Sequence, residues 1–183
     1  MSECKIVESD ELHLIKQTND ENIYVFYPTL FRVFPKSGNT CKITLKKYGR
    51  FLLLFMFSKF RVYILTTKDN IVKCTMGFSR GGSFRYPFST KNDLIDGPSF
   101  TVPSFRGQGT AVRLADFVIN EYEKDYKKVY GTIKNDNISS LKRAEKNGYV
   151  VVNHCRYNLL KRCVIDESGD MSLVEYVNKR ASQ

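Results

Sequence analysis

VPSFRGQGTA, residues 102–111, is the stretch that decides the interpretation of this sequence. A β-rich run ends at Val102, Pro103 breaks it, and two glycines separate it from a helical pattern. The apolar positions of that pattern are Ala111, Leu114, Ala115, Val118 and Tyr122. Glycine lets the backbone approach a ligand closely, and the first turn of a helix offers unpaired N–H groups and the positive end of its dipole. The stretch therefore predicts a strand, a glycine turn and a helix that bind an anion, with a diphosphate fitting best.

The segments around this stretch predict an α/β chain. Apolar and β-branched runs predict short strands at 12–15 and 23–27, a hairpin of 62–66 with 71–78, and strands at 94–102, 129–133, 149–152 and 171–177. Gly97-Pro98 should cost a ladder hydrogen bond and cause a bulge or splay. A strand on each side of one helix predicts a βαβ unit, so the strands ending at Val102 and Ile133 should be parallel. The apolar run 51–57 fits a core helix or strand equally well.

The composition narrows the class of protein but does not identify a ligand. A length of 183 residues with 42% hydrophobic residues predicts one packed domain over 1–183. The charge of +10 suits nucleic acid, an anionic membrane surface, a polyanionic small molecule or simply a solvated surface. Five scattered cysteines without a Cys-x-x-Cys pair argue against a disulfide framework or a zinc site, so we expect no metal and a cytoplasmic setting. The absence of a secretory signal pattern and the seven-residue length of the longest apolar run predict no membrane insertion.

Two motifs in the right order give a specific resemblance. Residues 106–111, RGQGTA, resemble the Gln/Arg-x-x-Gly-x-Gly/Ala loop of the GCN5-related N-acetyltransferase (GNAT) superfamily, and they lie between a strand and a helix as in that family. Asn137-x-x-Ser140, followed by EKNGY at 145–149, resembles the family's second motif. The resemblance covers about residues 62–160. It implies a mixed, mostly antiparallel central sheet with a splayed parallel strand pair, flanked by helices.

The resemblance also implies acetyl-coenzyme A as co-substrate. The loop N–H groups would bind its pyrophosphate, the backbone of 100–102 would pair with the pantetheine arm, and a splay after Val102 would admit the thioester. Asn137 and Ser140 would lie beside the arm, although a plain helix N-cap also explains Asn137. The implied cofactor-binding residues are Phe100, Thr101, Val102, Arg106, Gly107, Gln108, Gly109, Thr110, Ala111, Asn137 and Ser140.

Direct acetyl transfer to an amine needs a base for the attacking amine and benefits from an acid for the departing thiolate. Many family members carry a tyrosine four residues before the second-motif glycine, and this sequence has Ala144 there. Tyr157 or Ser140 could donate the proton instead, as could solvent. For the base, the candidates are Asp96, which could equally be a turn residue, and His154, which could equally be a packing or surface residue.

The sequence therefore predicts a bacterial, cytoplasmic N-acetyltransferase in which a small-molecule primary amine attacks acetyl-coenzyme A. An amino sugar of surface polysaccharide synthesis, nucleotide-linked or free, is the favoured acceptor, because Asp96-Gly97-Pro98 resembles a pattern in some such family members and loop 80–91 is basic. Peptide N-termini, lysines and polyamines stay open as acceptors, as does a homodimer. The alternative is a non-catalytic acetyl-coenzyme A sensor or scaffold. Nucleic-acid binding ranks last, because no helix carries a dense basic stripe.

Overall fold

The computed structural model describes residues 12–32, 35, 49, 52 and 59–178 of the chain. Apart from Leu52, the apolar run 51–57 lies outside these residues. The strands are β1 (Leu12–Gln17), β2 (Glu21–Phe26), β3 (Arg61–Thr67), β4 (Val72–Arg80), β5 (Leu94–Thr101), β6 (Lys128–Lys134), β7 (Val150–Tyr157), β8 (Cys163–Ile165) and β9 (Met171–Val177). The helices are α1 (Thr110–Phe117), which continues as a π-helical turn over Val118–Tyr122, and α2 (Ile138–Lys146).

The nine strands form one mixed sheet in the order β1-β2-β3-β4-β5-β6-β9-β7-β8. One pair, β5 with β6, is parallel, which confirms the predicted mixed, mostly antiparallel sheet. The parallel ladder joins Leu94–Val129, Ile95–Tyr130 and Asp96–Gly131. We expected the strands to separate after Val102, but the ladder already ends at Asp96. That point is immediately before Gly97-Pro98, where glycine favours a bend and proline lacks an N–H donor.

By its contacts the chain divides into two compact units. Unit 1 contains the described residues up to Ser79 together with Pro98–Leu114. Its β1–β2 and β3–β4 hairpins confirm the predicted strands, and Asn70 takes a positive φ of 60° in the turn between β3 and β4. The apolar core of unit 1 consists of Tyr24, Phe26, Phe60, Val62, Ile64 and Val72, with Leu12 and Val102 packed against it.

Unit 2 contains Arg80–Gly97 and the described residues from Ala115 onward. The predicted β6, α2, β7 and β9 are present, and β9 pairs antiparallel with both β6 and β7. The three-residue strand β8 was not predicted, because it is too short to show an alternating pattern. The core of unit 2 consists of Tyr86, Ile95, Tyr130, Cys155, Cys163 and Leu173, with Phe88, Tyr157 and Met171 partly buried against it.

The helix predicted from the apolar positions 111–122 is α1 with its π-helical continuation. Leu114, Ala115 and Val118 are fully buried, so the apolar stripe is the packed side of the helix. Within the described residues, no helix is long and apolar enough to span a membrane.

Candidate active site

The cofactor loop, residues 106–111, connects β5 to α1 in unit 1. A single 3-10 turn, Pro103–Phe105, leads into it, and α1 begins inside it at Thr110. Gly107 and Gly109 have positive φ angles of 77° and 70°, which residues with a side chain seldom adopt. A Cβ atom at Gly107 would meet no atom within 4 Å, so this turn of the loop is open.

Three side chains fix the loop by binding its carbonyl groups. Gln108 donates from Nε2 to the carbonyl of Ser104 at 2.9 Å, and Thr110 donates from Oγ1 to that of Phe105 at 3.1 Å. Arg113, one turn into α1, donates from Nη1 to the carbonyl of Gln108 at 2.7 Å. These hydrogen bonds stabilise the observed conformation of the loop.

The N–H groups of residues 107–111 make no hydrogen bond to any acceptor in the described part of the chain. In the first turn of α1, the N–H of Arg113 donates to the carbonyl of Gly109 at 3.0 Å. Five consecutive donors at the positive end of a helix dipole fit an anion with several oxygen atoms. The residues of this loop therefore fit the pyrophosphate of a coenzyme.

The cations next to the loop are neutralised by one carboxylate, Glu21. Its Oε1 atom accepts from Arg113 Nη2 at 2.6 Å and from Lys73 Nζ at 2.8 Å. Burial acts to raise the pKa of Glu21, but the hydrogen bonds from Arg113 and Lys73 outweigh it and lower the pKa below the ordinary value. Lys73 also lies 5.5 Å from the centre of the Phe105 ring. Glu21 therefore links β2 and β4 to the helix that carries the loop.

At the end of β5, the main-chain N–H and carbonyl groups point alternately toward β4 and away from it. Both main-chain groups of Val102 are hydrogen-bonded within the protein. Its N–H donates to the carbonyl of Lys73 at 3.0 Å, and its carbonyl accepts from the N–H of Phe105 at 2.9 Å. Main-chain groups alternate along a strand, so Phe100 shares the side of Val102 and Thr101 faces away from β4. The Thr101 carbonyl accepts from Arg106 Nε at 3.2 Å, and the pairing of residues 100–102 with a pantetheine arm stays a prediction.

The second motif forms α2 and both of its caps. Asn137 Oδ1 accepts from the N–H of Ser140 at 3.2 Å and from Ser139 Oγ at 3.0 Å, which is N-cap geometry. At the other end Gly148 has a φ of 80°, and the N–H of Tyr149 donates to the carbonyl of Ala144 at 3.0 Å. The capping explanation of Asn137 is thus confirmed, while a cofactor contact of Asn137 and Ser140 stays a prediction.

The two predicted base candidates occupy different environments in unit 2. Asp96, whose side chain is 3% exposed, accepts from Arg143 Nη2 at 2.8 Å. Burial, and secondly the charge of Asp96, raises the pKa of the neighbouring Tyr149 well above its usual value. His154 is exposed on β7. Asp96 is thus buried, with Oδ2 held by Arg143 and Oδ1 without a hydrogen-bond partner among the described residues, whereas His154 is in contact with solvent.

Tyr157 belongs to a cluster of hydrogen-bonded side chains that we call the tyrosine cluster: Arg85, Tyr86, Thr132 and Tyr157. The Tyr157 hydroxyl lies 2.8 Å from Thr132 Oγ1 and 3.1 Å from the Tyr86 hydroxyl. Arg85 Nε donates to the Tyr86 hydroxyl at 3.1 Å. Burial, and then the neighbouring Tyr157, raises the pKa of Tyr86 above its ordinary range. The sequence indicated Tyr157 but not its three partners, because they come from separate segments that only folding brings together.

Ala144, at the position where many relatives carry a tyrosine, is 2% exposed. A side chain without a proton to donate therefore fills a buried position on α2. The described residues contain no group of three or more side chains that could hold a metal ion.

Comparisons with other proteins give structural similarity only. No protein-family model and no curated protein matches the sequence. Several solved structures resemble the chain at low identity. The apo ribosomal L7/L12 alpha-N-protein acetyltransferase RimL has a TM-score of 0.61 and 12% identity, with 96% of this chain and 99% of that one covered. The ribosomal-protein-S5-alanine acetyltransferase of Vibrio fischeri has a TM-score of 0.56 and 12% identity, with 91% and 97% covered.

A third is the spermidine N-acetyltransferase of Vibrio cholerae in complex with CoA and spermine, at a TM-score of 0.52 and 11% identity, with 78% of this chain and 80% of that one covered. Identities this low establish the fold and leave activity to the site residues. The chain has the fold of the GCN5-related N-acetyltransferases, as its two motifs predicted.

Proposed function

We propose that the protein is an acetyl-coenzyme A-dependent N-acetyltransferase whose acceptor is a small-molecule primary amine. The observation that carries the proposal is the row of five N–H groups at 107–111, which have no acceptor among the described residues and lie at the start of α1 in a loop with two positive-φ glycines. The fold shared with N-acetyltransferases that act on spermidine and ribosomal proteins supports the same class of reaction. The free thiols of Cys74, Cys155 and Cys163 fit the predicted reducing cytoplasm of a bacterium.

In this proposal unit 1 binds the cofactor. The N–H groups of 107–111 bind the pyrophosphate, and the α1 dipole adds about 1 kcal/mol of electrostatic stabilisation. The main chain at Thr101 pairs with the pantetheine arm, and Arg113 keeps the loop in its binding conformation. When bound, acetyl-coenzyme A supplies the activated acetyl group as a thioester.

Tyr157 is the proposed proton donor. The amine attacks the thioester carbonyl, the carbon–sulfur bond breaks, and the departing thiolate takes a proton. We assign that proton to Tyr157, whose hydroxyl is fixed by Thr132 and Tyr86. Such general acid catalysis typically contributes about 10²- to 10⁴-fold in rate. The exposed His154 is the remaining candidate for accepting the proton of the amine, since Asp96 is held by Arg143.

A thermal-shift titration with acetyl-coenzyme A tests the cofactor site. A ligand at 100 times its Kd stabilises the folded state by about 2.7 kcal/mol. Gly109→Glu and Gly109→Lys both place a side chain at the φ of 70°, but the introduced carboxylate would repel the pyrophosphate and the introduced ammonium group would attract it. We expect the shift to vanish in Gly109→Glu and to persist in part in Gly109→Lys. An undiminished shift in Gly109→Glu would refute the assignment of the loop.

Release of coenzyme A with a panel of primary amines tests catalysis. Tight cofactor binding without turnover of any amine would favour the second candidate, a non-catalytic acetyl-coenzyme A sensor or scaffold. The buried Ala144 at the usual acid position is the observation behind that candidate. An amino sugar, free or nucleotide-linked, is our favoured acceptor, and the panel should contain both forms.

A further inference from the structure

The segment between β4 and β5, residues 81–93, is an ordered part of unit 2. Its ends are joined by the hydrogen bond from Gly81 N–H to the carbonyl of Asp93 at 2.8 Å. Inside it, Ser89 Oγ donates to the carbonyl of Tyr86 at 2.7 Å, and Asp93 Oδ2 accepts from Thr90 Oγ1 at 2.8 Å. The carbonyl of Arg85 accepts from the N–H of Cys163 on β8 at 2.8 Å. This hydrogen bond fixes the backbone at Arg85 and therefore the point from which the Arg85 side chain extends.

The Arg85 side chain is half-buried against two aromatic rings. Its guanidinium carbon lies 4.6 Å from the ring centre of Tyr157 and 5.4 Å from that of Tyr86. Burial acts to lower the pKa of Arg85, but the electrostatic interactions and hydrogen bonds with Tyr86 and Tyr157 outweigh it and raise the pKa. The guanidinium therefore stays charged.

Arg85 differs from several other cations of the described segments in having no carboxylate partner. Lys73, Arg80, Arg113, Lys128, Arg143 and Arg156 each form an ion pair with Asp or Glu. In the part of the chain that the structure describes, no such pair involves Arg85. A charge removed from water without a counter-ion is costly, so a partly buried arginine of this kind favours binding of an anion.

The groups around Arg85 define the kind of anion. A guanidinium presents a planar fork of N–H donors that matches the oxygen atoms of a carboxylate or a phosphate. The hydroxyls of Tyr86 and Tyr157 lie beside it; one of them donates to the other, so one hydroxyl proton of the pair is left for a further acceptor. The cluster is thus chemically suited to a single anionic group on a small molecule.

The position of the cluster connects it with acetyl transfer. The Tyr157 hydroxyl contacts Thr132, on the strand β6 that pairs in parallel with β5 at Asp96. We propose that the acceptor amine carries a carboxylate or phosphate group and that the Arg85 guanidinium, beside the rings of Tyr86 and Tyr157, binds that group. This inference rests on the proposed function and narrows its acceptor to amines with an anionic group. A polyamine would place a second cation near Arg85 and is a poor acceptor.

A matched acceptor series tests the inference. O-phosphoethanolamine and β-alanine carry an anion about two carbon atoms from the amine, ethanolamine carries a neutral hydroxyl there, and spermidine carries cations. One charge-assisted contact corresponds to about tenfold or more in affinity. We expect wild-type kcat/KM to be at least about tenfold higher for an anionic acceptor than for ethanolamine, and the better anionic acceptor identifies phosphate or carboxylate.

Arg85→Met keeps the aliphatic bulk against the tyrosine rings and removes the charge. We expect it to abolish the preference for anionic acceptors by lowering their kcat/KM to about the value for ethanolamine in the same variant, mainly through a higher KM. Arg85→Lys should retain part of the preference. Arg156→Met is the matched control, because Arg156 precedes Tyr157 on β7 but pairs with Asp166. Equal losses for all acceptors in Arg85→Met, or spermidine as the best acceptor of the wild type, would overturn the inference.

Binding without turnover separates this inference from the proposed function. In protein with ¹³C-labelled tyrosine rings, titration with inorganic phosphate or acetate should shift the NMR signals of Tyr86 and Tyr157 in the wild type and in Arg156→Met. The shifts should disappear in Arg85→Met. If neither anion moves these signals in the wild type, Arg85 is not an anion site, whatever the turnover assay shows. If the signals move but no amine is acetylated, the anion site stands and the proposed reaction fails.

Discussion

The cofactor loop and the tyrosine cluster are built in opposite ways. The loop offers main-chain N–H groups from contiguous residues, 107–111, and the nearby cations Arg113 and Lys73 are already neutralised by Glu21. The cluster offers side chains from a loop, from β6 and from β7, and its cation Arg85 has no carboxylate among the described residues. The first design suits a ligand bound through backbone geometry. The second suits a ligand recognised by its charge.

This difference makes the two regions respond differently to substitution. Main-chain donors survive most side-chain changes, so the loop is sensitive mainly at its positive-φ glycines and at the residues that hold its carbonyl groups. In the cluster, each side chain contributes its own hydroxyl or charge and can be removed singly. Variants should therefore separate binding of acetyl-coenzyme A from the steps that involve the acceptor.

The largest expected effect is that of Tyr157→Phe, which removes the proposed proton donor and keeps the ring. We expect kcat to fall by about 100-fold, while the Kd for acetyl-coenzyme A measured by calorimetry stays unchanged. Tyr176→Phe, which loses a hydroxyl bound to Asn120 elsewhere in unit 2, is the control. A kcat within about twofold of wild type would show that Tyr157 is not the proton donor. A higher Kd for acetyl-coenzyme A would contradict the separation of cofactor binding from the tyrosine cluster.

At Arg113 we expect the opposite result, namely a higher KM for acetyl-coenzyme A with kcat preserved. Arg113→Met loses the hydrogen bond to the carbonyl of Gln108 and the ion pair with Glu21, so the loop is less well held. Loss of such a contact costs about 0.5–1.5 kcal/mol, which predicts a rise in KM for acetyl-coenzyme A of about 2- to 13-fold with kcat preserved. Steady-state kinetics at saturating amine measure both constants. A fall in kcat with an unaltered KM would contradict a positioning role for Arg113.

Substitutions at Asn137 test the predicted role of the second motif in cofactor binding. Asn137→Ala should lower the free energy of unfolding by about 1 kcal/mol, because the N-cap of α2 is lost. Asn137→Ser should keep the cap and the stability, since serine is also a good N-cap, but it lacks the amide donor. We expect Asn137→Ser to raise the KM for acetyl-coenzyme A about threefold, as expected for one lost hydrogen bond. An unchanged KM would leave Asn137 with capping alone.

The smallest effect concerns the pH dependence of stability at Glu21. Its pKa is lowered from the ordinary value of 4.5 in the folded state, so its contribution is present above that value and is lost as the pH falls through the lower folded pKa. Urea unfolding of the wild type and Glu21→Gln at pH 7 and pH 3 should show a stability difference that shrinks at pH 3. We expect a change below about 1 kcal/mol, because such pairs near the surface contribute little. A difference that grows at pH 3 would contradict the sign.

Local chemistry explains which parts of the fold could be predicted. The hairpin turn at Asn70, the cap residues Asn137 and Gly148, and the glycines of the cofactor loop each act through neighbours in sequence, so their residue types were informative. The end of the parallel ladder at Asp96 and the strand β8 depend on partners that are distant in sequence. The pairing of Asp96 with Arg143 likewise joins residues 47 positions apart, and nothing near Asp96 indicates it.

The sequence by itself determined the strand–loop–helix order, the two motifs and the fold that they indicate, because main-chain conformation and capping are set by contiguous residues. Only the tertiary structure decided which side chains surround Tyr157 and which cations are neutralised. Arg85, Tyr86, Thr132 and Tyr157 lie on segments that meet only in the folded unit, and charge balance at Arg85 depends on where every carboxylate is placed. For that reason the loop of the proposed cofactor site could be predicted from one stretch of sequence, whereas the proposed acceptor site is formed only by the tertiary structure.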